Sequence, residues 1–458
     1  MSDVTDSMLP ELPDDWRWVP IAQLTAPEPR ALTDGPFGSN LRTEHYTESG
    51  PRVIRLQNIG DGAFLDAKAH ISEERFEFLR GHEARSGDIV LASLGESLPR
   101  ACLVPDWLGP AIVKADCPRL RPHPDLNAAY LVFALNSDVV RQQAAAVMHG
   151  VGRPRLKLAE LRKLLIPVPP RPEQDLIVRR LKSLLGELGN GVEEFQRALA
   201  GLGRYRHACL AAAFDGATRR LEEVASLQSG ITKGRPRGDD LIEMPYIRTA
   251  NVQALRLDLG EIKTLLVTPQ QRDKHLLRDE DVLVLEGGDA DKVGRGWIWS
   301  GEVKNCLHQN HVFVVRPDRD VMFPRFLAYY LNAPPARRYF LSVAKQSVNL
   351  ASINQSDLKN LPVPLPLLGE QRDRVATLDR QLSATAEMEA GLRARLGETA
   401  LLRRSLIRAG VEGQLTQAAD GGSTGDTALR TREECPQREG DDETVRRKRR
   451  AVLIGEYA

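Results

Sequence analysis

Two Glu-x-Lys triplets, Glu261-Ile-Lys263 and Glu302-Val-Lys304, and one H-x-x-H pair, His308 and His311, are the residues whose spacing suits a metal ion. A nuclease built on such a triplet needs a second acid held beside it for Mg2+. In a chain that is 27% charged, triplets of this kind are expected by chance. The histidine pair has no further Cys or His within motif distance, so the residues read as two polar strand positions rather than zinc ligands. The cysteines (Cys102, Cys117, Cys209, Cys306 and Cys435) are scattered, which excludes a zinc ribbon and argues against a disulfide framework. No phosphate loop, dinucleotide or methyl-donor fingerprint, amino-methyltransferase tetrapeptide, G-x-S-x-G or H-E-x-x-H is found. The chain is expected to carry no metal, no cofactor and no catalytic machinery of its own.

The charge is distributed unevenly along the chain. Formal net charge is only +1, which excludes a uniformly basic coat. Between Arg141 and Lys182, however, ten Lys/Arg stand against three Asp/Glu. Such a run is either a solvated face or a phosphate-contacting surface. No stretch approaches the roughly 18 apolar residues that span a bilayer, and the acidic start MSDVTDSMLPELPDDW is unlike a signal peptide. A cytoplasmic protein without membrane contact is expected.

The elements that must position these residues come in duplicate. VIRLQN at 53–58 matches YIRTAN at 246–251, and GDIVLASLG at 87–95 matches EDVLVLEGG at 280–288, both at an offset of 193. YLVFALNS at 130–137 answers FLAYYLNA at 326–333, offset 196. LLIPVPPRPEQ at 164–174 answers NLPVPLPLLGEQ at 360–371, offset 197 at the closing Gln, and RYRHACLAAAFDG at 204–216 answers LLRRSLIRAGVEG at 401–413, also 197. Five matches in order imply a tandem duplication. In each copy, short β-branched runs between Gly, Pro and Asp turns read as strands: VIRLQNI, DIVLAS and AIVKA first, DVLVLE and HVFVV second. A helix closes each, over 126–136 and 324–332, so each copy is expected to be an α+β globule.

A Pro-rich connector, expected to break regular structure, then leads to a long helix. Ile177, Leu181, Leu184, Leu188, Val192, Phe195, Leu199 and Leu202 form a heptad seam in the first. Val375, Leu378, Leu382, Met388, Leu392, Leu396, Leu402 and Leu406 form a looser one in the second. Gly186, Gly189, Gly191, Gly201 and Gly203 each cost the first helix about 1 kcal/mol against Ala, which helix pairing must offset. The expected architecture is two similar globules, 1–165 and 217–360, separated by two antiparallel coiled-coil helices with their connectors, 166–216 and 361–415. A charged tail, 416–458, ending in RRKRR at 446–450, should be disordered.

This duplicated grammar resembles the specificity subunits of Type I restriction–modification enzymes. The resemblance is carried by IPVPPRPEQ (166–174), LPVPLPLLGEQ (361–371), CLAAAFDG (209–216) and SLIRAGVEGQL (405–415). The second copy adds SGITKG (229–234), PYIRTANV (245–252), EGGDADKVGRG (286–296) and HQNHVFVVRP (308–317). DGPFGSNL (34–41) and SLGESLPRA (93–101) depart from the pattern in the first copy. The resemblance implies two target-recognition domains, each reading one half of a split, asymmetric DNA target, with the helices setting the spacing. It also implies two modification subunits that bind S-adenosylmethionine and methylate adenine, and restriction subunits that use ATP and Mg2+. Half-sites one helical turn apart, roughly 34 Å, suit such a spacer. A stand-alone DNA-binding protein, a metal-dependent nuclease and a coiled-coil scaffold are the rival readings.

Base readout needs Arg or Lys on guanine and Asn or Gln on adenine, while phosphate contacts fix register. The candidates in the second copy are Lys233, Arg235, Arg237, Lys292, Arg295, Gln346, Ser347 and Asn349. In the first they are Arg100, Lys114, Arg153, Arg155 and Lys157. Arg55 with Asn58, and Arg248 with Asn251, recur at equivalent positions, favouring a common role as phosphate contacts or loop braces. Glu173-Gln174 and Glu370-Gln371 open the long helices, where they cap free N–H groups or touch modification subunits.

Overall fold

The computed structural model describes residues 9–148, 153–232, 234, 240–347 and 350–417. The predicted disordered tail therefore lies outside the described residues, apart from its first two. The chain divides into two compact units, one containing residues up to 194 with those from 394, the other 195–393. The units cut across the chain-order segments, because each takes half of each long helix.

Each unit is built around two comparable sheets. In the first, Leu32–Thr33, Arg119–Leu120, Ile89–Ala92 and Arg100–Leu103 form an antiparallel sheet in that order. Its counterpart in the second is Ala225–Gln228, Val312–Pro317, Val282–Leu285 and Gly296–Ile298. Ile89–Ala92 and Val282–Leu285 are buried at every position, as their unbroken apolar runs require. A second sheet contains a parallel pair, Arg52–Ile54 on Ala111–Val113 in one unit and Tyr246–Ile247 on Leu307–His308 in the other. The closing helices are Ala128–Leu135, capped by Asn127 through the N–H groups of Ala129 and Tyr130, and Pro324–Leu331. Behind each sheet a shared carboxylate ties the frame. Arg121 binds Asp88 through two bonds of 2.8 and 2.9 Å, and Arg316 binds Asp281 through bonds of 2.7 and 3.0 Å.

The Pro-rich connectors do not break regular structure. Leu165–Val168 pairs with Arg17–Pro20, and Pro362–Pro364 with Thr218–Arg220. These are two-stranded ribbons, so a proline nitrogen can face away from its one partner.

The long helices span Arg171–Ala212 and Leu368–Val411, each over 60 Å at about 1.5 Å per residue. The first runs unbroken through its five glycines. Within the first unit its start meets the end of the second helix, since a Cβ on Gly410 would lie 2.9 Å from Leu181. Within the second unit Arg206 pairs with Glu389 at 3.3 Å. Both contacts are antiparallel. The seams differ from the expected ones at three leucine or methionine positions. Leu184, Met388 and Leu402 are exposed, at 37%, 58% and 49%. The true second stripe runs through Val375, Leu378, Leu382, Thr385, Glu389, Leu392, Leu396 and Thr399. Strict heptad steps place Thr385 and Glu389 inside, with the Thr385 hydroxyl donating to the Gln381 carbonyl at 2.7 Å. Apolar Met388 and Leu402 sit one residue out of phase.

Candidate nucleic-acid interface

Four loops meet at one edge of each unit, and backbone contacts hold them there. In the first unit Gly35 lies so close beneath Lys114 that a Cβ would stand 2.1 Å from the Lys114 carbonyl carbon. The Ser93 N–H donates to the Asp116 carbonyl at 3.0 Å, and Leu156 N–H to the Ser93 carbonyl at 2.9 Å. Leu94 and Arg155 form a bridge. The second unit repeats this set. Gly230 lies under Gln309, where a Cβ would be 2.2 Å from the carbonyl oxygen. Glu286 N–H donates to the His311 carbonyl at 3.1 Å, and Ile353 N–H to the Glu286 carbonyl at 2.9 Å. Gly287 and Gly288 pair with Ser352 and Ala351, carrying the hairpin that contains Lys345–Ser347.

The superposed hydrogen bonds define equivalent positions, and their side chains differ. Lys114 corresponds to Gln309, Asp116 to His311, Ser93 to Glu286 and Arg155 to Ser352. In the first unit Arg155 pairs with Asp116 at 2.6 Å. In the second His311 pairs with Glu286 at 2.6 Å. Beneath these loops, burial and then the neighbouring Asp116 charge push the Asp34 carboxyl up to about 6. Burial pushes His308 down to about 4, with its Nδ1 on the Val312 carbonyl at 2.7 Å.

The sequence-predicted residues sort by this geometry. Arg153, Arg155 and Lys157 are exposed on one loop, with Lys114 half-buried beside it and its ammonium 5.6 Å from the Tyr46 ring. Arg100 is half-buried opposite Ala92, at the base of the 93–99 loop. Lys292 and Arg295 are on the second unit's turn but engaged in local ion pairs with Asp289 and Asp291. Gln346 is exposed on its hairpin, and Ser347 ends the same strand. Lys233, Arg235, Arg237 and Asn349 lie outside the described residues. Exchanging both Arg153 and Arg155 for Ala should weaken DNA binding and reduce the slope of log K against log salt by about 1–2. Equal affinities and slopes, measured by anisotropy across a salt series, would remove that loop from the interface.

Arg55, Asn58, Arg248 and Asn251 are placed as loop braces. Asn58 is buried; its Oδ1 accepts the Arg55 N–H at 2.8 Å and its amide donates to the Leu65 and Ala67 carbonyls at 2.8 and 2.9 Å. Asn251 repeats this with Arg248, Asp258 and Glu261 at 2.9, 2.7 and 3.1 Å. Arg55 reaches the Lys68 carbonyl and Arg248 the Glu261 carbonyl, both at 3.0 Å.

The Glu-Gln pairs also divide. Gln174 and Gln371 are buried and clamp the closing helix of each domain to its long helix. Gln174 accepts the Asn127 N–H and donates to the Pro169 carbonyl, each at 2.8 Å. Gln371 accepts the Phe323 N–H at 2.7 Å and donates to the Val321 and Pro366 carbonyls at 2.8 Å. Side chains so enclosed have no surface to offer a partner. Glu173 accepts from Trp16 at 3.0 Å and Thr416 at 2.6 Å. Glu370 is exposed and caps the Leu367 N–H at 3.1 Å. The sequence does not single out Phe37, Asp116, Glu286 or Gln309, whose proximity to the other loops arises only from pairing between distant strands. Of the H-x-x-H pair, expected as two polar strand residues, His308 ends a strand and is buried on the Val312 carbonyl, while His311 is exposed on the following turn against Glu286. Among the described residues no cluster of three His, Cys, Asp or Glu could hold a metal ion.

Two recognition frames on shared antiparallel helices define a class, and comparison with known proteins agrees. The model of the Type I restriction modification DNA specificity domain matches residues 93–194 and 215–398, and the chain belongs to that family. It is 23% identical to the Type I restriction enzyme StySPI specificity subunit of Salmonella potsdam, over 89% of this chain and 90% of that one. Identity to the EcoKI specificity subunit of Escherichia coli K12 is 22%, over the same shares. The fold is similar to a chain from a structural study of complex assembly and conformational transition of the type I R-M system. The TM-score is 0.68 at 22% identity, covering 88% of this chain and 99% of that one. It is also similar to the HsdS subunit from Thermoanaerobacter tengcongensis, with TM-score 0.53 at 22% identity, covering 88% and 98%. No helix among the described residues is long and apolar enough to cross a membrane.

Proposed function

We propose that this chain is the non-catalytic address of a Type I restriction–modification complex, each unit reading one half of a split, asymmetric double-stranded DNA target. One observation carries the reading. The loop clusters share a backbone frame yet carry unlike side chains at equivalent positions, Lys114 against Gln309 and Asp116 against His311. A shared frame docks the two units alike through phosphates, and unlike side chains select different bases. The long helices set the spacing between half-sites. Two modification subunits, supplying S-adenosylmethionine, dock on those helices; exposed Tyr205, Met388 and Leu401 are apolar surface available there. Restriction subunits supply ATP and Mg2+ chemistry where present, and the complex works in the cytoplasm.

The test is selection of bound duplexes from a random library by the chain assembled with its modification subunit. One bipartite motif with unlike halves is expected. Binding without sequence preference, or Mg2+-dependent cleavage by the purified chain alone, would overturn the reading.

A further inference from the structure

One exposed aromatic in the first unit's loop cluster offers chemistry that the basic residues near it do not. Phe37 is 51% exposed. Isolated exposed apolar residues are common on protein surfaces, but this one is held up by its surroundings. Gly35 is jammed against the Lys114 backbone, and its N–H is taken by the Asp34 carboxyl at 2.7 Å. Pro36 follows with its fixed φ. Immediately after the ring, Gly38 turns the chain at φ +63°, a left-handed conformation that favours glycine. The Arg155 guanidinium lies 5.4 Å from the ring centroid and is itself tied to Asp116. A stiff loop therefore presents half of a phenyl ring to solvent, beside a cation on the loop that carries Arg153 and Lys157.

We propose that Phe37 is a base-stacking wedge: its ring enters partway between two base pairs at one step of the first unit's half-site, while Arg155 contacts the adjoining phosphate. Apolar side chains that enter a step unstack it and bend the duplex. The most easily unstacked steps are TA and CA/TG, so Phe37 would select such a step by its deformability, without a hydrogen bond to a base. The equivalent residue in the second unit is Thr232, as Gly230 matches Gly35, so only one half-site would be deformed. This inference rests on the DNA-recognition reading and extends it.

The test uses the complete complex with its modification subunits. The probe is a duplex carrying the bipartite motif identified by methylation sequencing, with 2-aminopurine placed in turn at each adenine position. Wild type should raise 2-aminopurine fluorescence at one step away from the adenine that is methylated. Phe37→Ala should abolish that rise and bind roughly tenfold more weakly, with an unchanged melting temperature because the ring is exposed. Phe37→Trp should retain the signal. Specific binding with a fluorescence profile that Phe37→Ala leaves unaltered sinks the wedge and spares the recognition reading. Absence of specific binding by wild type removes both.

Discussion

Asp281→Ala is expected to destabilise the second unit by about 3–5 kcal/mol, the scale for breaking a buried ion pair. The Asp281 side chain is 2% exposed and meets Arg316 through two bonds. It also accepts the Arg278 N–H at 2.8 Å, so its loss leaves that backbone donor unpaired and the Arg316 guanidinium without its counter-charge, held only by Gln228 and the Leu276 carbonyl. Its carbonyl receives the Trp299 N–H at 2.7 Å, placing the site at the edge of the central strand pair. The first unit repeats the arrangement: Asp88 accepts the Arg85 N–H at 2.9 Å as well as Arg121. Hydrogen exchange should show lost protection over Val282–Leu285 for Asp281→Ala and over Ile89–Ala92 for Asp88→Ala, each variant sparing the other unit. Full protection in both units would refute the role given to these carboxylates.

Gln371→Ala is the second large effect, about 2–4 kcal/mol. The amide is fully buried and makes three hydrogen bonds, to the Phe323 N–H and to the Val321 and Pro366 carbonyls. Alanine leaves those partly buried groups without this partner, at about 1–3 kcal/mol for each that water cannot reach. Because the clamp joins the closing helix to the long helix, its loss should also blur the orientation of the second unit's loops. Faster exchange over 323–327 and weaker discrimination at one half-site are expected, while the other half-site is read as before. Gln174→Ala should mirror this in the first unit through Asn127 and Pro169. Loss of discrimination at both halves, or at neither, would contradict the clamp.

How much of this was legible depends on whether the information is local. The duplication, the buried runs at 89–92 and 282–285 and the closing helices rest on apolar pattern and short-range order, and they stand where the sequence places them. The heptad seam was half legible. Its phase was drawn to Met388 and Leu402, because hydrophobicity cannot reveal that Thr385 and Glu389 occupy the inward positions. The Pro-rich connectors look like breaks in the sequence because nothing local shows that residues 17–20 and 218–220 return to pair with them. At the candidate site, recurrence singled out Arg55, Asn58, Arg248 and Asn251, but recurrence does not separate bracing from binding. Burial does. Phe37 beside Arg155 and Gln309 above Gly230 are products of chain crossings more than seventy residues long, and no window of sequence contains them.

On the proposed function, one chain supplies two unlike half-addresses for adenine methylation. Methylation sequencing of the host genome with and without this gene tests it most directly. Loss of methylation at a single bipartite motif with different halves is expected, restored when the gene is returned. An unchanged pattern, or loss of a palindromic motif alone, would contradict it.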